Sequence, residues 1–130
     1  MPDEQPPPAI LIADDNDDLR AMLAAFLKGR GYDVLTAGGG GEAVDAALGS
    51  SPSLVLMDVG MPGVDGLSAA REIRRTLSAA ELPILVVSAY DTAELRAEAL
   101  EAGCNGYVTK PVDPAALLRT VNLLLGRACE

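Results

Sequence analysis

The sequence contains no histidine, and that absence removes much of the usual nucleophilic and metal chemistry. Ser-His-Asp and Cys-His triads, His-ligated zinc sites and a phosphohistidine carried by the chain itself are all excluded. Any catalysis has to run on carboxylates, lysine and hydroxyls. Cysteine is scarce too: Cys104 and Cys129 are the only two. They make neither a zinc-ligand set nor a disulfide framework, and they read as free thiols in a reducing compartment. No apolar run approaches the ~20 residues of a membrane-spanning helix. The opening MPDEQPPP has neither the basic start nor the apolar stretch of a signal peptide. The expected location is therefore the cytoplasm, with no membrane contact. Cations are few, with ten Lys and Arg against nineteen Asp and Glu and a net charge of −9. Direct nucleic-acid binding, which needs clustered Lys and Arg along a phosphate backbone, is disfavoured by that balance. A cationic metal or a basic partner suits it better.

What is present is enough for one domain. The length of 130 residues is too short for two, and 49% hydrophobic residues supply the apolar surface that offsets the entropy of ordering the chain. Residues 1–8 are Pro-rich and acidic, the composition of an extended, solvated tail. Beyond them, short apolar runs at 9–13, 32–37, 53–58, 82–88 and 106–110 read as five strands. The runs at 54–57 and 84–87 are apolar without alternation, as in parallel strands covered on both faces. Leu19, Met22, Leu23, Phe26 and Leu27 form a one-sided helical stripe, with Gly31 as the expected C-cap. Helices are also expected over 42–48, 67–77, 92–102 and 114–125, with Asp91 and Asp113 as N-cap candidates and Gly103 as a stop. Strand and helix alternate five times. That order predicts an α/β fold: a five-stranded parallel, doubly wound sheet with five helices in three α/β/α layers.

In an open α/β sheet, ligands bind outside the carboxyl ends of the strands. Asp14 and Asp15 follow the first strand, Asp58 closes the third, Ser88 closes the fourth, and Lys110 follows the fifth. Three carboxylates packed together repel one another unless a cation holds them. All-oxygen ligands favour a hard ion such as Mg²⁺, and Lys110 can grip an anionic oxygen. Each residue also has a plainer explanation. An Asp-Asp pair before a helix is often an N-cap, a task that Asp17 or Asp18 would serve more directly, and a hydroxyl ends many strands. Asp58 is different, because it ends an apolar run and is followed by a loop with no helix to cap at once.

The joint pattern of Asp14-Asp15, the run from Asp58 through Gly60, Pro62 and Asp65 to Gly66, Ser88-Ala89 and Lys110-Pro111 resembles the receiver domain of two-component response regulators. The likeness spans about 9–125, and a receiver domain over 9–127 of the flavodoxin-like type is expected. It implies that Asp58 accepts a phosphoryl group from a phosphohistidine of a sensor histidine kinase or histidine phosphotransfer protein. It further implies Mg²⁺ bound directly by Asp15, Asp58 and the backbone carbonyl of Gly60, with Asp14 acting through a metal-bound water. Lys110 becomes the phosphate ligand, with Pro111 following a cis bond, and Ser88 and Tyr107 become the switch pair. The resemblance implies a phosphorelay switch rather than a turnover enzyme. Arg20, Ala21, Ala24, Pro111 and Val112 are the expected contact surface for the phosphodonor. No output domain follows 125 in this sequence, so either stand-alone action or a part of a larger regulator is compatible with it.

Several positions depart from the commoner pattern. Gly60 has no side chain, Tyr90 is large enough to lie over the site, and Cys104-Asn105-Gly106 lacks the acidic residue common before the aromatic of the fifth strand. Other readings fit less of the chain. Gly38-Gly39-Gly40-Gly41-Glu42-Ala43 matches a dinucleotide fingerprint, but that reading makes nothing of Asp14, Asp15, Ser88 or Lys110; a loose glycine loop is the plainer account. A haloacid dehalogenase-type phosphatase needs an Asp where Gly60 stands. A receiver-like scaffold that works without phosphorylation would have lost the acceptor or its pocket, and both are intact.

Overall fold

The computed structural model describes residues 7–61 and 63–127. Ten elements alternate: β1 (Ala9–Ala13), α1 (Asp17–Lys28), β2 (Asp33–Ala37), α2 (Gly40–Gly49), β3 (Leu54–Asp58), α3 (Gly66–Arg74), β4 (Ile84–Ser88), α4 (Ala93–Glu101), β5 (Gly106–Thr109) and α5 (Pro114–Leu124). The strands form one parallel sheet in the order β2-β1-β3-β4-β5. The expected tail over 1–8 lies outside the described residues except for Pro7 and Pro8, and Cys129 lies outside them too. Among the described residues, no helix is long and apolar enough to cross a membrane.

Strand alternation divides the core between two faces. Ile10, Ile12, Leu54 and Leu56 point one way and pack with Leu23 and Leu27 of α1 and Leu117 and Val121 of α5. Leu11, Ala13, Val55 and Met57 point the other way, against Ala43 and Ala47 of α2, Ala69, Ala70 and Ile73 of α3, and Ala99 of α4. The three layers are those that the sequence predicts. Leu54 to Met57 and Ile84 to Val87 are all buried, which is why these runs show no polar alternation.

The differences from expectation lie at element ends. Asn16, not Asp17 or Asp18, caps α1, accepting from the Leu19 N–H at 3.0 Å. The helix stops at Lys28, and Gly31 closes the following turn at φ 92°. Thr92 rather than Asp91 caps α4, while Asp113 caps α5 as predicted. α3 ends at Arg74, three residues early, because a tight turn over 75–77 follows.

The glycine run Gly38–Gly41, which enters α2 at Gly40, is not loose. A β-carbon on Gly40 would lie 2.0 Å from the Val64 carbonyl oxygen and 2.9 Å from Val64 Cβ. The close backbone approach that a dinucleotide would need here is taken by the chain itself, in the loop between β3 and α3. Alanine is the better helix former by about 1 kcal/mol, but overpacking against backbone costs about 1–3 kcal/mol. Gly40→Ala should therefore lower stability by about 1–2 kcal/mol in urea unfolding. Gly41→Ala, whose β-carbon would meet nothing within 4 Å, should raise it by about 0.5–1 kcal/mol. Equal effects at the two positions would remove the packing argument.

Candidate functional site

Strand order reverses between β1 and β3, and the crevice at that point holds the acidic cluster. Ala13 pairs with Met57, so Asp14 is carried alongside Asp58. One carboxylate oxygen each from Asp14, Asp15 and Asp58 lie within 4.8 Å of one another. Asp14 and Asp58 are buried and Asp15 is exposed. Lys110 reaches over from the end of β5, its Nζ lying 3.2 Å from Asp14 Oδ2 and 3.3 Å from Asp58 Oδ1. The Lys110–Pro111 bond is cis. Ser88 is buried at the end of β4, and its carbonyl accepts the Lys110 N–H at 2.7 Å.

The charges are unbalanced. Burial and the neighbouring Asp14 charge raise the Asp58 pKa above the ordinary carboxylate value, while Lys110 and the Gly60 N–H act in the opposite direction. Burial would lower the Lys110 pKa, but Asp58 and Asp14 together carry it upward. This donor set fits a hard divalent cation: it is all oxygen, its atoms converge, and its mutual repulsion is what such an ion relieves.

Ser88 and Tyr107 meet through the backbone of Tyr90 rather than directly. Ser88 Oγ accepts the Tyr90 N–H at 3.0 Å, and the Tyr107 hydroxyl donates to the Tyr90 carbonyl at 2.6 Å. The Tyr90 side chain stands 71% exposed, so solvent, not the site, surrounds it.

The structure thus brings Asp14, Asp15, Asp58 and Lys110 together and places Ser88 and Tyr107 on one hydrogen-bonded path. Gly60 is exposed in the turn after β3. Of the expected contact surface, Ala21 and Pro111 are exposed and Ala24 and Val112 are partly buried on the α1–α5 core. Arg20 is already engaged: it donates to the Asp14 carbonyl at 2.7 Å and pairs with Asp17 at 2.5 Å.

Supporting residues escaped the sequence reading. The Asn16 N–H donates to Asp14 Oδ1 at 2.8 Å. A β-carbon on Gly66 would lie 2.1 Å from the Asp58 carbonyl oxygen, so glycine there lets α3 back onto the end of β3.

A family model for the response regulator receiver domain matches residues 10–122. The chain is 36% identical over 116 residues to protein PilH of Pseudomonas aeruginosa, covering 89% of this chain and 96% of PilH. It is 37% identical over 124 residues to protein PetR of Rhodobacter capsulatus, covering 95% of this chain but 51% of PetR. Among solved structures, a CheY-like response regulator receiver domain protein from Methanospirillum hungatei JF-1 superposes with a TM-score of 0.87 at 27% identity, over 92% of this chain and 94% of that one. The chemotaxis protein CheY4 of Vibrio cholerae gives 0.84 at 29% identity, over 92% and 99%.

The raised Asp58 pKa has a consequence for stability. The folded state holds this proton more tightly than the unfolded chain does, so the ionised carboxylate costs the folded state near neutral pH, and the cost fades as pH falls through the folded pKa. In metal-free buffer at pH 7, Asp58→Asn should unfold at higher urea than the wild type. The gain over wild type should shrink on acidification. A loss of stability at pH 7 would show that the Lys110 contact outweighs the repulsion.

Proposed function

Because the chain belongs to the response regulator receiver domain family, we propose that it takes a phosphoryl group from a partner's phosphohistidine onto Asp58 and reports the change through Ser88 and Tyr107. The observation that carries this reading is the Lys110 ammonium shared by Asp58 and Asp14 within a cluster of three converging carboxylates. An ionised carboxylate needs no general base, so the absence of histidine is no handicap. An Asp58 Oδ attacks phosphorus. The P–O bond forms as the P–N bond to the donor imidazole breaks, with its electron pair leaving on the ring nitrogen. Phosphoryl transfer is mostly positioning and charge stabilisation, and a Lys110 ammonium 3.3 Å from Asp58 Oδ1 supports a role in gripping the transferred oxygens. Asp15, Asp58 and the Gly60 carbonyl would hold Mg²⁺ directly and Asp14 through a water, and the ion would supply further positive charge there when bound.

The domain works as a switch whose only chemistry is its own phosphorylation and dephosphorylation. Its donor is a sensor histidine kinase or a histidine phosphotransfer protein in the cytoplasm, approaching over Ala21 of α1 and Pro111, both exposed beside the site. A phosphoryl oxygen that draws the Ser88 hydroxyl away takes it from the Tyr90 N–H, and the Tyr90 backbone carries the change through its carbonyl to Tyr107. Losing one hydrogen bond to a charged group, worth about 1.5–3 kcal/mol, removes most of the bias that a phosphoryl group can apply.

With acetyl phosphate and Mg²⁺, the wild type should gain the mass of one phosphoryl group and Asp58→Asn should gain none. Ser88→Ala should still be labelled, but its Tyr107 ring resonances should scarcely move with beryllofluoride, whereas those of the wild type should shift. Full labelling of Asp58→Asn would put the acceptor elsewhere, and equal Tyr107 shifts would remove Ser88 from the path.

A further inference from the structure

Tyr107 is held from three directions. Its hydroxyl is bonded to the Tyr90 carbonyl, its ring packs partly buried against the α2–α3–α4 face of the core, and the Arg96 guanidinium carbon lies over the ring 4.6 Å from its centroid. Arg96 is itself fixed, because its Nε donates to Asp91 Oδ1 at 2.5 Å. Thr92 caps α4, which leaves the Asp91 carboxylate to Arg96. The ring is docked while Ser88 Oγ still holds the Tyr90 N–H. Docking therefore does not wait for the hydroxyl to move, and a separate interaction has to favour it. The stacked guanidinium is placed to do so, since a cation over an aromatic face is attracted by the ring quadrupole.

We propose that Asp91 and Arg96 form a latch, with Arg96 as a positioning residue, that keeps Tyr107 docked against the core before any phosphoryl group arrives. The inference rests on Tyr107 being the reporter of phosphorylation. Two contributions then set the ring's position, one from the acceptor site and one from the latch. The latch reduces the change that phosphorylation alone produces. Arg96 and Asp91 are about half exposed, 49% and 54%, so salt weakens the hold.

The Tyr90 carbonyl carbon shift, measured by NMR on the full chain, reports the bond from the Tyr107 hydroxyl, with Tyr107→Phe as the unbonded reference. Arg96→Ala should move this shift toward the reference, with the docked-to-undocked ratio falling about two- to fivefold, the factor for an exposed cation–aromatic stack. Asp91→Asn, which keeps the arginine but frees it, should give part of that change, as should 0.5 M NaCl on the wild type. Arg96→Lys should restore only a part, because an ammonium has no planar face. Acetyl phosphate labelling of Asp58 should be unchanged in these variants, and beryllofluoride should move the Tyr90 carbonyl signal further in Arg96→Ala than in the wild type. An unchanged Tyr90 shift in free Arg96→Ala overturns the latch, even if beryllofluoride still moves the signal in the wild type and so upholds the reporter. A shifted signal in Arg96→Ala with no beryllofluoride response in either protein upholds the latch and overturns the reporter.

Discussion

Crowding of negative charge at one edge of the sheet is the constraint around which the rest is arranged. Three carboxylates converge there, and Lys110 touches two of them. The arrangement exists because β1 lies between β2 and β3, so that residues following two separate runs of the chain emerge side by side. Lys110 comes from β5, two strands away, and its backbone N–H is tied to the Ser88 carbonyl on the strand between. A single ammonium cannot neutralise the cluster, and this leaves it receptive to added positive charge. The sheet beneath is apolar on both faces, which keeps water from screening Asp58 and Asp14 from below.

Much of this was legible in the sequence, for a physical reason. Burial on both faces writes itself into a strand as an apolar run, and a helix writes its core side as a stripe. Once strands and helices alternate, topology places every polar strand end on one side, and Asp58, Ser88 and Lys110 stand out there. What was not legible depends on meetings between distant segments. Gly40 and Gly66 must be glycine because the backbones of Val64 and Asp58 press against them, and no local pattern announces that. Asp91 and Thr92 are both good caps by type, and the choice went to Thr92 while Arg96 engaged Asp91.

Asn105 shows the same limit. At the sequence level, the stretch before Tyr107 only lacks an acidic residue. In the fold, Asn105 Oδ1 accepts from Arg74 Nη2 at 2.9 Å and from the Ile84 N–H at 3.0 Å, while Arg74 Nε donates to the Gly103 carbonyl at 2.8 Å. Burial lowers the Arg74 pKa. The Cys104 thiol is buried in the same corner and pushed up to about 11, so it stays protonated and packs as a small apolar group. This corner ties the end of α3 to the entry of β5, the strand that carries Tyr107.

The Tyr90 backbone is gripped by Ser88 at its N–H and by Tyr107 at its carbonyl, in the two peptide units that flank one Cα, while the side chain projects into solvent. Any amino acid except proline offers the same amide and the same carbonyl. Position 90 is therefore released from the wiring that runs through it. The side chain there can change to suit whatever binds nearby while both backbone hydrogen bonds stay in place.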